Sequence, residues 1–134
     1  MKNRPFHQRI RFAVAGLRDG WRRERSFRTH VMFAVAALVA LLVLHPSPIW
    51  WALVALMVAL VWSAELFNSA LETMIDHLHP AKHEDIRVVK DMAAAGVLVL
   101  SVAALVVAVA LLVAQIGRGN AVDTLIGFGM HLLR

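Results

Sequence analysis

The 134-residue chain is 60% hydrophobic and carries a formal net charge of +5. That hydrophobic share lies well above the roughly 45–50% of soluble domains, and it is gathered into blocks, so an ordinary water-soluble domain is excluded. The sequence has no cysteine, which excludes disulfides and cysteine-ligated metal.

In chain order, residues 6–28 predict a helix lying on the membrane surface. Phe6, Ile10, Ala13, Leu17 and Trp21 recur at helical spacing, while Arg9, Arg11, Arg18, Arg22 and Arg25 occupy the remaining surface. Pro5 suits the first turn. A first span is expected near 29–44, because Val31–Leu44 has no polar side chain. His45-Pro46-Ser47-Pro48 reads as a tight turn. A second span follows from about 49 to 78, with Trp50 and Trp51 placed as an aromatic anchor. Residues 79–85 read as a short polar loop. The third span is expected at about 86–116. Its core, Met92–Ala114, has one polar residue, Ser101, and meets the length of about 20 residues that a spanning helix needs. Its Ala93-Ala94-Ala95-Gly96 stretch permits close helix–helix approach. The tail, 117–134, is rich in glycine and predicts loop with a short surface helix. The fold class is therefore an all-α integral membrane protein with a surface helix and three transmembrane helices. No cleaved signal segment is expected.

Nine of the fourteen Lys and Arg lie in residues 1–28, and Lys82, Arg87 and Lys90 lie between the second and third spans. The turn at 45–48 has none. The positive-inside rule then places the N-terminus and the 77–90 loop in the cytoplasm of a multi-pass inner-membrane protein. The basic N-terminal segment suits an anionic membrane surface better than nucleic acid.

The second span ends unusually, in "WSAELFNSALETMID". At 100° per residue Glu65, Asn68, Ser69, Glu72 and Asp76 fall within about 100° of arc. With a rise of about 1.5 Å per residue, Glu65 lies roughly 24 Å from Ile49, inside the edge of a hydrocarbon core about 30 Å thick. Glu72 and Asp76 reach headgroup level. Glu24, Lys90 and Asp91 come to the same level from other segments. Taken singly, Glu24, Glu72, Asp76 and Lys90 also read as helix-end residues reaching water, and Glu65 with Asn68 as an interhelical hydrogen-bond pair. Together they are the parts of a phosphoryl-transfer site. Carboxylate and amide oxygens suit Mg²⁺, a lysine holds phosphate oxygens, and a further carboxylate takes a proton from an attacking hydroxyl. The depth would present such a site to a lipid headgroup and to cytoplasmic ATP. The motifs of soluble kinases and P-loop enzymes are missing. Two other classes compete. A proton-coupled transporter would use Glu65 as a relay, but the acids cluster at one edge of the membrane. A non-catalytic adaptor would explain the small-residue face but not the charged set.

"AELFNSALETMID" followed by "HPAKHEDIRVVKDMAAAGVLV" resembles the small prokaryotic integral-membrane diacylglycerol kinase family, which includes undecaprenol kinases. "GLRDGWRRERSFRTH" fits upstream, and the likeness covers about residues 6–116. The resemblance implies a homotrimer with active sites shared between subunits, working on MgATP and a membrane lipid alcohol. It implies phosphorylation of diacylglycerol to phosphatidic acid, or of undecaprenol to undecaprenyl phosphate. By the same resemblance Glu24 and Glu72 would hold a metal ion, and Asn68 would assist at a second one. Glu65 would be the base for the lipid hydroxyl, and Glu65 and Asn68 would meet the substrate. Asp76, Lys90 and Asp91 would organise the nucleotide, with His83 at its far end. "ERSFRTH" looks more like the undecaprenol kinase branch, since His30 stands where the diacylglycerol branch often has an acid. The tail after Ile116 extends beyond the usual end of the family, and the N-terminal arginines do not register with it.

Overall fold

A computed structural model describes residues 4–78 and the backbone of residues 83–132, with side chains through Arg118 in the last helix. It is all helical: α1 is Phe6–Arg23, α2 Arg25–Leu44, α3 Pro48–Leu78 and α4 Glu84–Leu132. Three helices are long and apolar enough to cross a membrane, over Arg25–Leu44, Pro48–Leu78 and Glu84–Arg118. The surface that remains is heavily apolar. Met32, Phe33, Val43, Phe67, Leu98, Val99 and Val113 are all exposed. Contiguous apolar surface of this extent is not sustained in water, whereas hydrocarbon solvates it.

The first helix ends earlier than its periodicity predicts. A single helix over 6–28 was expected, but Glu24 is extended (φ −102°, ψ 117°), closing α1 and opening α2. Residues 25–28 therefore belong to the first span. The Glu24 N–H donates to Gly20 O at 2.9 Å, and the Arg28 N–H donates to Glu24 O at 3.3 Å. The Arg28 guanidinium also donates to the carbonyls of Trp21 (3.3 Å) and Arg22 (3.4 Å). It thereby satisfies acceptors that the end of α1 leaves free. The break is favoured by tertiary contacts that a local pattern does not contain. On one side of it Gly20 is buried against α3. A Cβ there would lie 2.7 Å from Leu66 Cδ2, so glycine permits the approach. On the other side Phe27 is buried, with its ring 5.7 Å from that of Trp62.

The turn forms where proline predicts it. His45 adopts the left-handed conformation (φ 45°, ψ 52°), and its N–H donates to Leu41 O, closing α2 ahead of Pro46. Pro48 takes the first position of α3, where its missing N–H costs nothing. α3 and α4 share the most extensive contact in the chain. They run antiparallel: Asp76 meets Lys90 at one end, while Val54 and Ala108 line a common groove toward the other.

One further expectation differs. The tail predicted as loop is helical in backbone, and α4 continues without interruption to Leu132. Glycine lowers helix propensity by about 1 kcal/mol per residue but does not forbid helix. The Ala93–Gly96 stretch was expected to let another helix approach closely. Within this chain a Cβ on Gly96 would meet nothing within 4 Å. Of the polar loop expected at 79–85, residues 79–82 lie outside the described residues.

Candidate active site

Glu65 is the only buried charged residue among the described residues, at 3% exposure. It lies on α3, one turn beyond Val61 and Trp62, where the apolar run ends. Its burial comes from α2, which lays Phe27 against Trp62 and brings Ser26 and His30 to the carboxylate. Ser26 Oγ donates a short hydrogen bond to Glu65 Oε1. His30 Nε2 lies 4.0 Å from Glu65 Oε2. An isolated carboxylate in hydrocarbon is costly, and these neighbours are what this chain offers it.

One turn further on, Asn68 Nδ2 donates to Glu72 Oε1 at 3.1 Å. This leaves Asn68 Oδ1 as the free end of the amide. That oxygen is buried and has no hydrogen-bond partner among the described residues. Buried acceptors are nearly always satisfied, so Asn68 Oδ1 is free to accept a bond from outside the described residues. Next along the stripe, Asp76 Oδ1 receives Lys90 Nζ from α4 at 2.8 Å. Asp91 is held by Arg87 Nη1 at 2.5 Å, and Arg87 also reaches Glu84.

Among the expected residues the chain thus pairs Asn68 with Glu72 and Asp76 with Lys90. Glu65, Asn68, Glu72 and Asp76 form one stripe on α3, and Lys90 joins it. Glu24 sits half-buried at the α1–α2 break, and its side chain makes no capping hydrogen bond. Among the described residues, no three carboxylate or imidazole groups converge closely enough to hold a metal ion. His83 is exposed and occupied locally: its Nδ1 accepts the Asp85 N–H at 3.3 Å, at the start of α4. Among the described residues it makes no hydrogen bond or ion pair with Lys90 or Asp76.

Ser26 and Arg87 escaped the reading by motif, and His30 entered it only as a branch marker. A signal for Ser26 and His30 was present. They are four residues apart, on one face, and Ser26 lies about 27 Å from Leu44 at helical rise, the depth of Glu65. Toward the membrane interior from His30, α2, α3 and α4 line an open groove of about 500 Å³. It is lined almost wholly by apolar side chains, with Ser101 and Trp62 among them. The Trp62 indole nitrogen is buried there without a partner among the described residues.

Comparison with known proteins places the chain in a family. Residues 11–112, which include Glu24, the α3 stripe and Lys90-Asp91, match the sequence model of prokaryotic diacylglycerol kinase. A diacylglycerol kinase of Synechocystis is 38% identical over 99 residues, 73% of this chain. The match spans 57% of that relative's length. An undecaprenol kinase of Bacillus subtilis is 32% identical over 90 residues, covering 67% of this chain and 73% of the relative. A diacylglycerol kinase of Escherichia coli K12 is 32% identical over 95 residues, covering 71% and 78%. The chain belongs to the prokaryotic diacylglycerol kinase family of lipid kinases.

Proposed function

We propose that this membrane protein transfers the γ-phosphate of ATP to the hydroxyl of a membrane lipid alcohol, diacylglycerol being the first candidate and phosphatidic acid its product. The observation that carries the reading is Glu65, a carboxylate at 3% exposure in an apolar helix. It heads a stripe of acids that ends at a lysine from the next span. A carboxylate so placed is a general base for an alcohol whose carbon chains stay in the bilayer. Asp76, Lys90 and Asp91 lie further toward the headgroups, where they would meet the polyphosphate of ATP. The helix α1 would lie on the anionic cytoplasmic surface of the inner membrane, its arginines outward, as the positive-inside rule directs.

The donors present suit Mg²⁺. They are hard oxygens, and Asn68 Oδ1 is a buried acceptor without a partner among the described residues, beside Glu72. Glu72 and Asn68 of one subunit, with Glu24 of a neighbour, would hold it. When bound, the ion would neutralise charge on the phosphates during transfer. A homotrimer with sites between subunits, which the family resemblance implies, is the assembly we infer. The exposed apolar faces and the open Gly96 surface support it.

Undecaprenol is the second reading, supported by the Bacillus subtilis relative and by His30 beside Glu65. Purified protein in vesicles, given MgATP with diacylglycerol, with undecaprenol or with neither, tests both. ADP release that depends on an added lipid alcohol supports the kinase, and the better acceptor names the substrate. Equal ATP turnover without lipid counts against it.

A further inference from the structure

Both oxygens of Glu65 are approached from α2. Ser26 donates to Oε1, and His30 Nε2 stands 4.0 Å from Oε2. Ser26 is the second residue of α2, directly after the break at Glu24, and its neighbour Phe27 is fixed against Trp62. The hydroxyl therefore comes from a seated turn and not from a free helix end. A serine has one proton to donate. Given to Oε1, it restrains rotation of the carboxylate and leaves Oε2 on the side of His30. At 4.0 Å, Oε2 and Nε2 are too far apart to hydrogen-bond with each other. A third oxygen placed beside the line between them would lie about 2.8 Å from each, a normal hydrogen-bond length.

Resting on the reading of Glu65 as the base, we propose that Ser26 is a positioning residue. It holds Glu65 through Oε1 and so aims Oε2 at the substrate hydroxyl, which sits between Oε2 and His30 Nε2. In the transfer, the lipid O–H bond breaks and its proton passes to Oε2. The lipid oxygen bonds to the γ-phosphorus, and the bond from that phosphorus to the bridging oxygen breaks, the electron pair leaving on ADP. Ser26 keeps its own proton throughout. Its contribution is to fix which carboxylate oxygen is available and where it points, so that little reorganisation remains at the moment of transfer.

The test is a set of single and double variants of the full chain, purified in vesicles with MgATP and the better lipid acceptor. Helical content and assembly are measured for each. Ser26→Ala removes the donor and should lower kcat about 10-fold, the scale of a lost hydrogen bond to a charged group, with KM for ATP unchanged. Ser26→Thr keeps a hydroxyl and should restore most of the turnover. In a Glu65→Gln background, Ser26→Ala should cause no further loss, because residues acting through one group are non-additive. Wild-type kcat in Ser26→Ala beside an impaired Glu65→Gln overturns the positioning role and leaves the base intact. So does an equal fall in Ser26→Ala and Ser26→Thr, or an undiminished Ser26→Ala effect in the Glu65→Gln background. Wild-type turnover in Glu65→Gln itself overturns the base reading, and this proposal with it.

Discussion

At the residue scale, the acids of α3 differ in what surrounds them. Glu65 is enclosed by α2 and bonded by Ser26, whereas Asp76 is exposed and paired with Lys90. A buried carboxylate beside an apolar groove suits proton acceptance from a lipid alcohol, and an exposed acid–lysine pair suits a water-borne nucleotide. Glu65→Gln should therefore reduce turnover by about 10²–10⁴-fold, the usual worth of a general base, with ATP affinity nearly unchanged in a nucleotide-binding titration. Collapse of ATP binding instead would move Glu65 into the nucleotide site. Glu72→Gln removes a charge next to Asn68 while keeping its size. Activity should fall by at least about 100-fold, the scale of losing a key electrostatic group, with assembly intact by size-exclusion chromatography. Near-normal turnover at low Mg²⁺ would reject the ligand role. The stripe itself was legible in the sequence, because a helical period projects Glu65, Asn68, Glu72 and Asp76 onto one face whatever the tertiary context. The hydroxyl and imidazole that meet Glu65 were not assigned, because single polar residues at the start of an apolar helix carry no motif.

At the element scale, periodicity located three spans and the proline turn, and missed the break at Glu24. Nothing local in "GWRRERSF" forbids a continuous helix. The break depends on Gly20 against Leu66 and Phe27 against Trp62, contacts between segments about 35–45 residues apart. The same logic explains the tail, where glycine content argued for loop while the backbone continues as helix to Leu132. The docking of α1 makes a paired prediction. Gly20→Val places a branched side chain where even a Cβ would lie 2.7 Å from Leu66 Cδ2. It should destabilise by about 1–3 kcal/mol through overpacking, read as a lower midpoint in chemical or thermal unfolding. Gly16→Ala, with nothing within 4 Å of the added Cβ, should be neutral or gain up to about 1 kcal/mol of helix propensity. Equal effects of the two would show that α1 does not dock through Gly20.

At the scale of the whole molecule, one chain leaves its apolar flanks uncovered. A trimer in which Glu24 of one subunit faces Glu72 of the next would cover them and join the two proposed ligands. Glu24→Gln and Glu72→Gln chains, each inactive alone, should then regain part of their activity when co-assembled. Some mixed trimers contain an interface with both glutamates, one from each chain. A site built within one subunit would never be rescued, because every chain lacks a ligand. Absence of rescue in verified mixed trimers would remove the shared site while leaving the kinase standing.

The central claim is the transfer itself, from ATP to a lipid hydroxyl at Glu65. The most direct measurement follows labelled γ-phosphate into the lipid extract of vesicles containing diacylglycerol or undecaprenol, with wild-type protein and with Glu65→Gln in parallel. The account predicts label in the lipid phosphate monoester with the wild-type protein, and label reduced about 100-fold or more with the variant. Label appearing only as inorganic phosphate, or equally in the lipid with both proteins, would contradict it.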